Sequence, residues 1–409
     1  MRTFEPATDR RQFLRGAVAF GAATLAPAAA AAAADVDLGL PGRPSSRPLT
    51  TTFPQKGEMI LQRTRPPLLE TPFEVFNEGV FTPNDRFFVR WHWAVIPESV
   101  DAARFRLAVR GNVETPLSLT LDEIMAMPRV EMAAVNQCSG NSRGFFTPRV
   151  PGGEWGNGAM GNAIWTGVRL KDVLDRAGVK AASVQVRFTG LDETVTEGAP
   201  RFLKSLDIEH ARDGEVMIAY LMNGQPLPLL NGFPLRIIVP GWYSTYWTKM
   251  LSDIEVLDKP DDNYWMKSAY LIPDTPHASV RPGETGFKTV PINRMVPRSF
   301  FTNIVGSASV AHDVHAPLRG VAFGGDCGVA AVECSLDGGA NWTAATLGSD
   351  QGAYGFRRWS FEATAPAAGA LEVAVRCTNA KGVAQPLEAN WNPGGFMRNV
   401  VERVRLVVQ

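Results

Sequence analysis

The sequence is sparing with the residues that usually announce a chemistry. It holds four cysteines, Cys138, Cys327, Cys334 and Cys377, with no C-x-x-C pair among them. That leaves no covalent haem site of the C-x-x-C-H kind, so no haem is expected in this chain, and no paired-cysteine pattern for zinc or an iron–sulfur cluster. Histidine is scarce too, at five residues, and none stands in a context that marks it as the base of a cysteine nucleophile. An excess of either charge is also missing, since 41 Lys+Arg stand against 41 Asp+Glu. No overall field favours nucleic acid or an anionic membrane, and a small anion would have to be held by a local cluster of cations. Past the N-terminus no run approaches the roughly 18 apolar residues that span a bilayer, and no internal repeat is visible.

What is present is an ordinary globular balance, 45% hydrophobic and 20% charged over 409 residues, enough for two core-forming domains. The chain begins with Asp9-Arg10-Arg11-Gln12-Phe13-Leu14-Arg15, then a short Ala/Gly-rich apolar run that closes on small residues near Ala34. Charge, apolar run and cleavage site in that order read as a twin-arginine export signal over residues 1–34 rather than an anchor. That route carries folded proteins, commonly because a cofactor has been inserted first, so a periplasmic protein with a metal or organic cofactor is expected.

Residues 35–72 are rich in Pro, Arg and Thr without a sustained period and are expected to form an extended arm over the surface. Residues 73–268 alternate short apolar runs with Gly/Pro punctuation. Phe87–Trp93, Phe105–Val109, Ser183–Thr189 and Leu235–Val239 read as strands; Leu121–Met127 and Leu170–Ala177 read as helices, the second stopped by Gly178. The mixture predicts an α+β domain. Over residues 269–409 a proline-rich stretch gives way to short strands at Val321–Phe323, Val329–Cys334, Trp342–Leu347, Arg357–Phe361, Leu371–Cys377 and Val400–Val408. An Asp-Gly turn in Ser335-Leu336-Asp337-Gly338-Gly339 fits a hairpin, and strands without helices predict an all-β immunoglobulin-like sandwich. A disulfide among Cys327, Cys334 and Cys377 is open in an oxidising compartment.

Three segments could carry chemistry. Cys138 leaves a strand-like run for the loop Ser139-Gly140-Asn141-Ser142-Arg143, where backbone can approach a ligand and Arg143 would favour a thiolate; a small core cysteine is the competing reading. Arg90 and His92 share a strand face, with Trp91 on the other, which makes either an anion contact or a solvated face. Asn231, Arg236 and Trp247-Thr248-Lys249 surround a strand where a phosphate could bind.

Ordered motifs link these segments. They are Thr82-Pro83-Asn84-Asp85-Arg86-Phe87-Phe88-Val89-Arg90, Asn136-Gln137-Cys138-Ser139-Gly140-Asn141, Glu154-Trp155 with Gly158-Ala159, and Trp165-Thr166-Gly167-Val168-Arg169-Leu170. Met222-Asn223-Gly224-Gln225-Pro226-Leu227-Pro228, Gly232-Phe233-Pro234-Leu235-Arg236, Ser335-Leu336-Asp337-Gly338-Gly339 and Trp391-Asn392-Pro393 follow. In this order, over nearly all of the chain after residue 34, they resemble the sulfite oxidase family of molybdopterin enzymes, in particular the molybdenum subunits of bacterial periplasmic sulfite dehydrogenases.

The resemblance implies a sulfite-oxidase-type molybdopterin domain, and oxidation of sulfite to sulfate by oxygen-atom transfer at molybdenum. Cys138 would be the protein's ligand to the metal. Phe88, Arg90, His92, Asp192, Asn231, Arg236, Trp247, Thr248 and Lys249 would hold the pterin and its phosphate. Arg90, His92, Arg143, Trp155, Tyr270 and Arg398 would serve the substrate. Vertebrate and plant members place an arginine where this chain has Gly394, and Arg398 resembles the bacterial version of that motif. Electrons would pass to a c-type cytochrome, either a subunit or diffusible, with the chain in a homodimer or in a heterodimer with that cytochrome. A sulfane dehydrogenase of thiosulfate oxidation and a cofactor-free periplasmic partner protein are the competing readings on the same scaffold; the methionine sulfoxide reductases on it lack the second domain.

Overall fold

The computed structural model describes residues 34–408 apart from 43, 305–306, 311–314 and 365–368; the twin-arginine stretch lies outside the described residues. The first domain is organised by one long antiparallel hairpin. Strand Met160–Arg169 pairs with Arg129–Gln137 in unbroken register, from Gln137↔Met160 to Arg129↔Val168, and its other edge pairs with Met217–Met222. Central in its sheet, Met160–Arg169 carries Ala163, Trp165 and Val168 into a core shared with Leu170, Val173, Ile218 and Ile237. Trp165 is wholly enclosed and its indole donates to Ala134 O at 3.0 Å; truncating it to Ala would cost about 3–5 kcal/mol.

A second sheet runs in the order Leu203–Asp207, Gln185–Gly190, Leu251–Leu257, Leu107–Gly111, Leu117–Leu119. Helices are short, and both expected ones form. Leu121–Met125 starts at a capping box between Thr120 and Glu123, a device worth about 1 kcal/mol. Leu170–Ala177 buries Leu170, Val173, Leu174 and Ala177 at helical spacing and stops at Gly178, whose φ of 72° suits glycine. No helix among the described residues is long and apolar enough to cross a membrane.

Residues 35–72 do not lie out as an extended arm. Asp35–Asp37, Ser46–Thr50, Met59–Arg63 and Leu68–Glu70 form a sheet that Val89–Arg90 completes. Met59 and Leu69 are fully buried with Val89, Trp91 and Met250. Strands this short are parted by turns before a period can show. The expected strand Phe87–Trp93 shrinks to Val89–Arg90, with irregular chain on both sides.

The C-terminal region is a two-sheet sandwich. One sheet holds Arg298–Phe301, His315–Phe323, Arg357–Thr364 and Thr346–Leu347; the other holds Ser307–Val310, Glu402–Val408, Gly369–Asn379, Val329–Ser335 and Thr343–Ala344. Phe301, Leu318, Val332, Trp359, Val373 and Leu406 meet between them. The expected strand Trp342–Leu347 divides, Thr343–Ala344 joining one sheet and Thr346–Leu347 the other, so the chain crosses the sandwich edge there. Cys327, Cys334 and Cys377 are free thiols. The register sets Cys377 opposite Val332 and Cys334 opposite Val375, so the two strand cysteines are not a facing pair.

The two domains touch around the loop after Gln137. Val135 N donates to Tyr354 O at 2.8 Å, Met397 N to Ser139 O at 3.1 Å, and Arg298 Nη1 to Ser142 Oγ at 2.9 Å.

Candidate active site

Cys138 is the first residue past the strand Arg129–Gln137. Its amide donates to Ala159 O at 2.9 Å, which extends the hairpin by one bond. Asn141 closes the turn, its Oδ1 accepting from Ala159 N at 2.9 Å and its Nδ2 donating to Asn157 O at 3.1 Å. The sulfur is thus in a loop, as the sequence suggests, but on a rigid mount.

Cys138 lines a cavity together with Phe88, Arg90, His92, Asn136, Ser139, Phe202, Asn231, Ser244, Thr245, Arg236, Trp247, Lys249 and Tyr270. Arg236 donates to Asn231 O at 2.9 Å and lies 5.0 and 5.7 Å from the rings of Trp165 and Trp247. Burial alone draws its pKa down to about 9. Lys249 donates to Arg90 O at 2.8 Å and sits 4.3 Å over the ring of Trp91. Burial, then the charge of Arg236, draws its ammonium to about 7, with Asp192 opposing. Burial in turn pushes the Asp192 carboxyl up, against the pull of Lys249. Cations gathered out of water without matching carboxylates are expensive, and an anionic ligand relieves that expense.

His92 Nε2 and Tyr270 Oη are 2.6 Å apart, and the imidazole stacks on Phe202 with centroids 3.6 Å apart. Burial, then the charges of Arg90, Lys249 and Lys204, hold His92 well below its ordinary pKa, so it is neutral; burial also pushes the Tyr270 phenol up. Arg90, His92 and Tyr270 line a second cleft as well, together with Arg143, Trp155, Trp265 and Phe396. The three residues form the wall between an inner cavity and an outer cleft. Arg143 donates to Gly394 O at 3.1 Å and lies 5.1 Å from the Phe396 ring. A Cβ on Gly140 would fall 2.3 Å from its guanidinium and one on Gly152 2.8 Å, so these glycines make room for it.

Most of the expected residues therefore converge. Asp192 and Thr248 are buried beside the inner cavity without lining it. Arg398 lines neither space: its guanidinium lies 5.3 Å from the Phe145 ring and 3.6 Å from Glu402. Its Nε and Nη1 are buried without a hydrogen-bond partner, so the 3.6 Å approach to Glu402 leaves donors of this guanidinium unsatisfied. The sequence reading missed Lys56, which is buried and donates to Asn84 O and Phe87 O, both at 2.8 Å, and to Asn231 Oδ1. It also missed Phe202, which nothing but its place beside His92 marks.

The unpartnered atoms test whether these residues suit a molybdenum–pterin group. Arg90 Nη1, Asn136 Nδ2, Ser139 Oγ, Arg236 Nε and Thr248 Oγ1 are buried with no hydrogen-bond partner. Native proteins leave few such atoms, so this concentration around one cavity calls for a polar, acceptor-rich ligand. Among the described residues no group of three or more His, Cys, Asp or Glu could hold a metal ion. A metal at Cys138 would have to bring its other ligands with it, as a pterin dithiolene does. The residues fit the group.

Residues 93–265 match the family model of the oxidoreductase molybdopterin binding domain and residues 291–409 that of the Mo-co oxidoreductase dimerisation domain, together well over half of the chain. Mitochondrial sulfite oxidase of Homo sapiens is 33% identical over 365 residues, 84% of this chain; the chain spans only 65% of that relative's length. Sulfite oxidase of Arabidopsis thaliana is 28% identical over 366 residues, covering 82% of this chain and 91% of its own. The crystal structure of the sulfane dehydrogenase SoxCD from Paracoccus pantotrophus aligns with a TM-score of 0.70 at 23% identity, over 84% of this chain and 87% of that one, a likeness of fold. With two domain families in order and sulfite oxidases as relatives along most of its length, the chain belongs to the sulfite oxidase family of molybdopterin-domain oxidoreductases.

Proposed function

We propose that this chain oxidises sulfite to sulfate in the periplasm, reached folded by the twin-arginine route, and passes the electrons to a separate c-type cytochrome. The balance is sulfite plus water to sulfate, two protons and two electrons. Cys138 would hold the molybdenum and Arg236 and Lys249 the phosphate of a molybdenum–pterin group, which would supply the two-electron acceptor and the oxygen-transfer chemistry. The protein's own part is to bind and orient. Arg143 and Arg90 approach a small oxyanion from the outer cleft with charge-assisted hydrogen bonds. Tyr270 keeps its proton at neutral pH, so its hydroxyl donates to His92 Nε2 or to the bound anion, and neutral His92 adds no competing charge. Trp155, Trp265 and Phe396 narrow the approach to small substrates. A homodimer through the C-terminal sandwich and a pairing with a cytochrome subunit differ in mass, which light scattering reads.

The observation that carries this reading is the shared wall: Arg90, His92 and Tyr270 border both the cavity of Cys138 and the cleft of Arg143. The test is molybdenum analysis of matured protein, followed by sulfite-dependent reduction of cytochrome c. Near-stoichiometric molybdenum with sulfite turnover is expected. Absence of molybdenum would point to the cofactor-free partner protein, and turnover of sulfane sulfur without sulfite to a sulfane dehydrogenase. Arg10→Lys with Arg11→Lys should keep the protein in the cytoplasm on fractionation.

A further inference from the structure

Behind the wall of the inner cavity lies another enclosed cation. Lys204, on strand Leu203–Asp207, is 0% exposed. Its ammonium donates to Trp265 O at 2.9 Å, the carbonyl of a residue in the short helix Tyr264–Lys267. Its other close neighbours are aromatic faces, with Tyr246 at 4.4 Å and Tyr270 at 5.8 Å from the ring centroids. The same stretch of chain reaches the partner of Tyr270 too, because Phe202 stacks on His92. Asp261, the carboxylate acting on Lys204, is already held by Arg187 at 2.7 and 2.8 Å and by Ser205 at 2.5 Å. Packing alone would be met as well by an apolar chain of similar length. A charge in this place needs a further reason.

We propose that Lys204 is a positioning residue for the anion site: fastened by the Trp265 carbonyl beneath the Tyr270 ring, its charge aims the phenol between His92 and the outer cleft and adds to the pull on a bound oxyanion. The inference rests on the reading that Tyr270 faces the substrate. The groups facing Lys204 are Asp261, His92, Tyr246 and Tyr270; the other charges around the anion are Arg90, Arg143 and Lys249. Burial draws the Lys204 ammonium down to about 7, with Asp261 opposing. The charge is present below that pH and lost above it, so its contribution to anion binding falls as pH rises through neutrality.

The experiment uses molybdenum-loaded enzyme, wild type, Lys204→Met and Lys204→Arg, with sulfate as a competing anion that does not itself titrate between pH 6 and 9. At pH 6 Lys204→Met should weaken sulfate inhibition about tenfold, the size of one cation's pull at this depth. The gap to wild type should close by pH 9. Lys204→Arg should restore the affinity and hold it through pH 9, and the loss should fall on sulfate binding and KM more than on kcat. Equal sulfate affinity in wild type and Lys204→Met at pH 6 overturns the proposal. Should Lys204→Met not fold, the Arg variant decides alone: a flat profile supports the role, and one that falls as the wild type does overturns it. If the enzyme turns over no sulfite, the proposed function fails, while calorimetric sulfate titration of the same three proteins still decides the role of Lys204.

Discussion

Cys138 and Cys334 are both buried, one at the rim of the first domain's core and one inside the sandwich, and they show what surroundings do to the same side chain. Cys334 and Cys377 lie among Leu318, Val332, Trp359, Val373 and Leu406. Burial without a cation pushes the Cys334 thiol up to about 12 and raises Cys377 as well. Such a sulfur is a small hydrophobe. Cys138 instead follows a strand whose last residues, Asn136 and Gln137, are polar and buried, and it shares a cavity with Arg90, Arg236 and Lys249. Depth in the protein does not separate the two; the unpartnered donors and cations around one of them do.

The sharpest way to break that comparison is to make the same change at both sites. Cys138→Ser should lose molybdenum and at least about 1,000-fold in turnover while melting within a few degrees of wild-type apo-protein, since a metal ligand is removed and little packing with it. Cys334→Ser should keep its metal and lose about 1–3 kcal/mol of stability, because a hydroxyl is placed in an apolar core. Elemental analysis and thermal melts read both. Metal retained by Cys138→Ser would end the reading of that sulfur as a ligand.

Within the site, the outer cleft should answer to charge and the wall to hydrogen bonding. Arg143→Ala removes a desolvated cation and should raise KM for sulfite about 10- to 100-fold, in line with the 1.5–3 kcal/mol of a charged hydrogen bond. Tyr270→Phe removes the 2.6 Å contact with His92 and should lower kcat/KM by about tenfold. Steady-state kinetics at fixed molybdenum content separates the two; unchanged kinetics in both variants would remove the outer cleft from the substrate's path.

How much of this was legible in the sequence depended on whether the signal was local. The Cys138 loop and the Gly178 stop are written in consecutive residues, and the structure has them as read. The face shared by Arg90 and His92 also survived, although the strand that was to carry it shrank to two residues. What did not show was decided by partners far along the chain. Lys56 looks like one more polar residue in a proline-rich arm, and only Asn84, Phe87 and Asn231 explain it. Phe396 stacks on Tyr270 with centroids 5.5 Å apart although the two lie far apart along the chain, a contact that no periodicity announces. Arg398 is placed by motif alone, and its neighbours Phe145 and Glu402 come from packing that the motif does not show.

The buried lysines tie the site to stability, and here the comparison is between apo-protein and loaded protein. Burial brings Lys56 and Lys249 from 10.5 to about 7 in the folded chain. Between those values the unfolded chain binds more protons than the folded one, so apo stability rises with pH from about 7 toward 10; below 7 both states are protonated and the burial penalty is present in full. A bound phosphate beside Lys249 and Arg236 would raise the depressed pKa values and flatten that slope. The melting temperature gained on loading should therefore be larger at pH 6 than at pH 9, by about 5 °C. Equal gains at the two pH values would mean that no anion is held by these cations.

The smallest effect is expected at Arg398, and its smallness is the point. The resemblance puts this arginine at the substrate, whereas the fold puts it against Phe145 and Glu402, outside both spaces. Glu402 keeps a better partner without it, since Arg298 reaches the same oxygen at 2.7 Å against 3.6 Å for Arg398. Arg298 is itself held below its ordinary pKa, first by burial and in part by the charge of Arg398, so deletion also relieves a like-charge neighbour. The gains and losses nearly cancel, which leaves Arg398→Ala within about 1 kcal/mol of wild type in stability. Its KM for sulfite should stay within about threefold, while Arg143→Ala moves it by ten or more. A KM shift in Arg398→Ala as large as that of Arg143→Ala would show that the guanidinium leaves Glu402 for the substrate, and the outer cleft would then need a third cation.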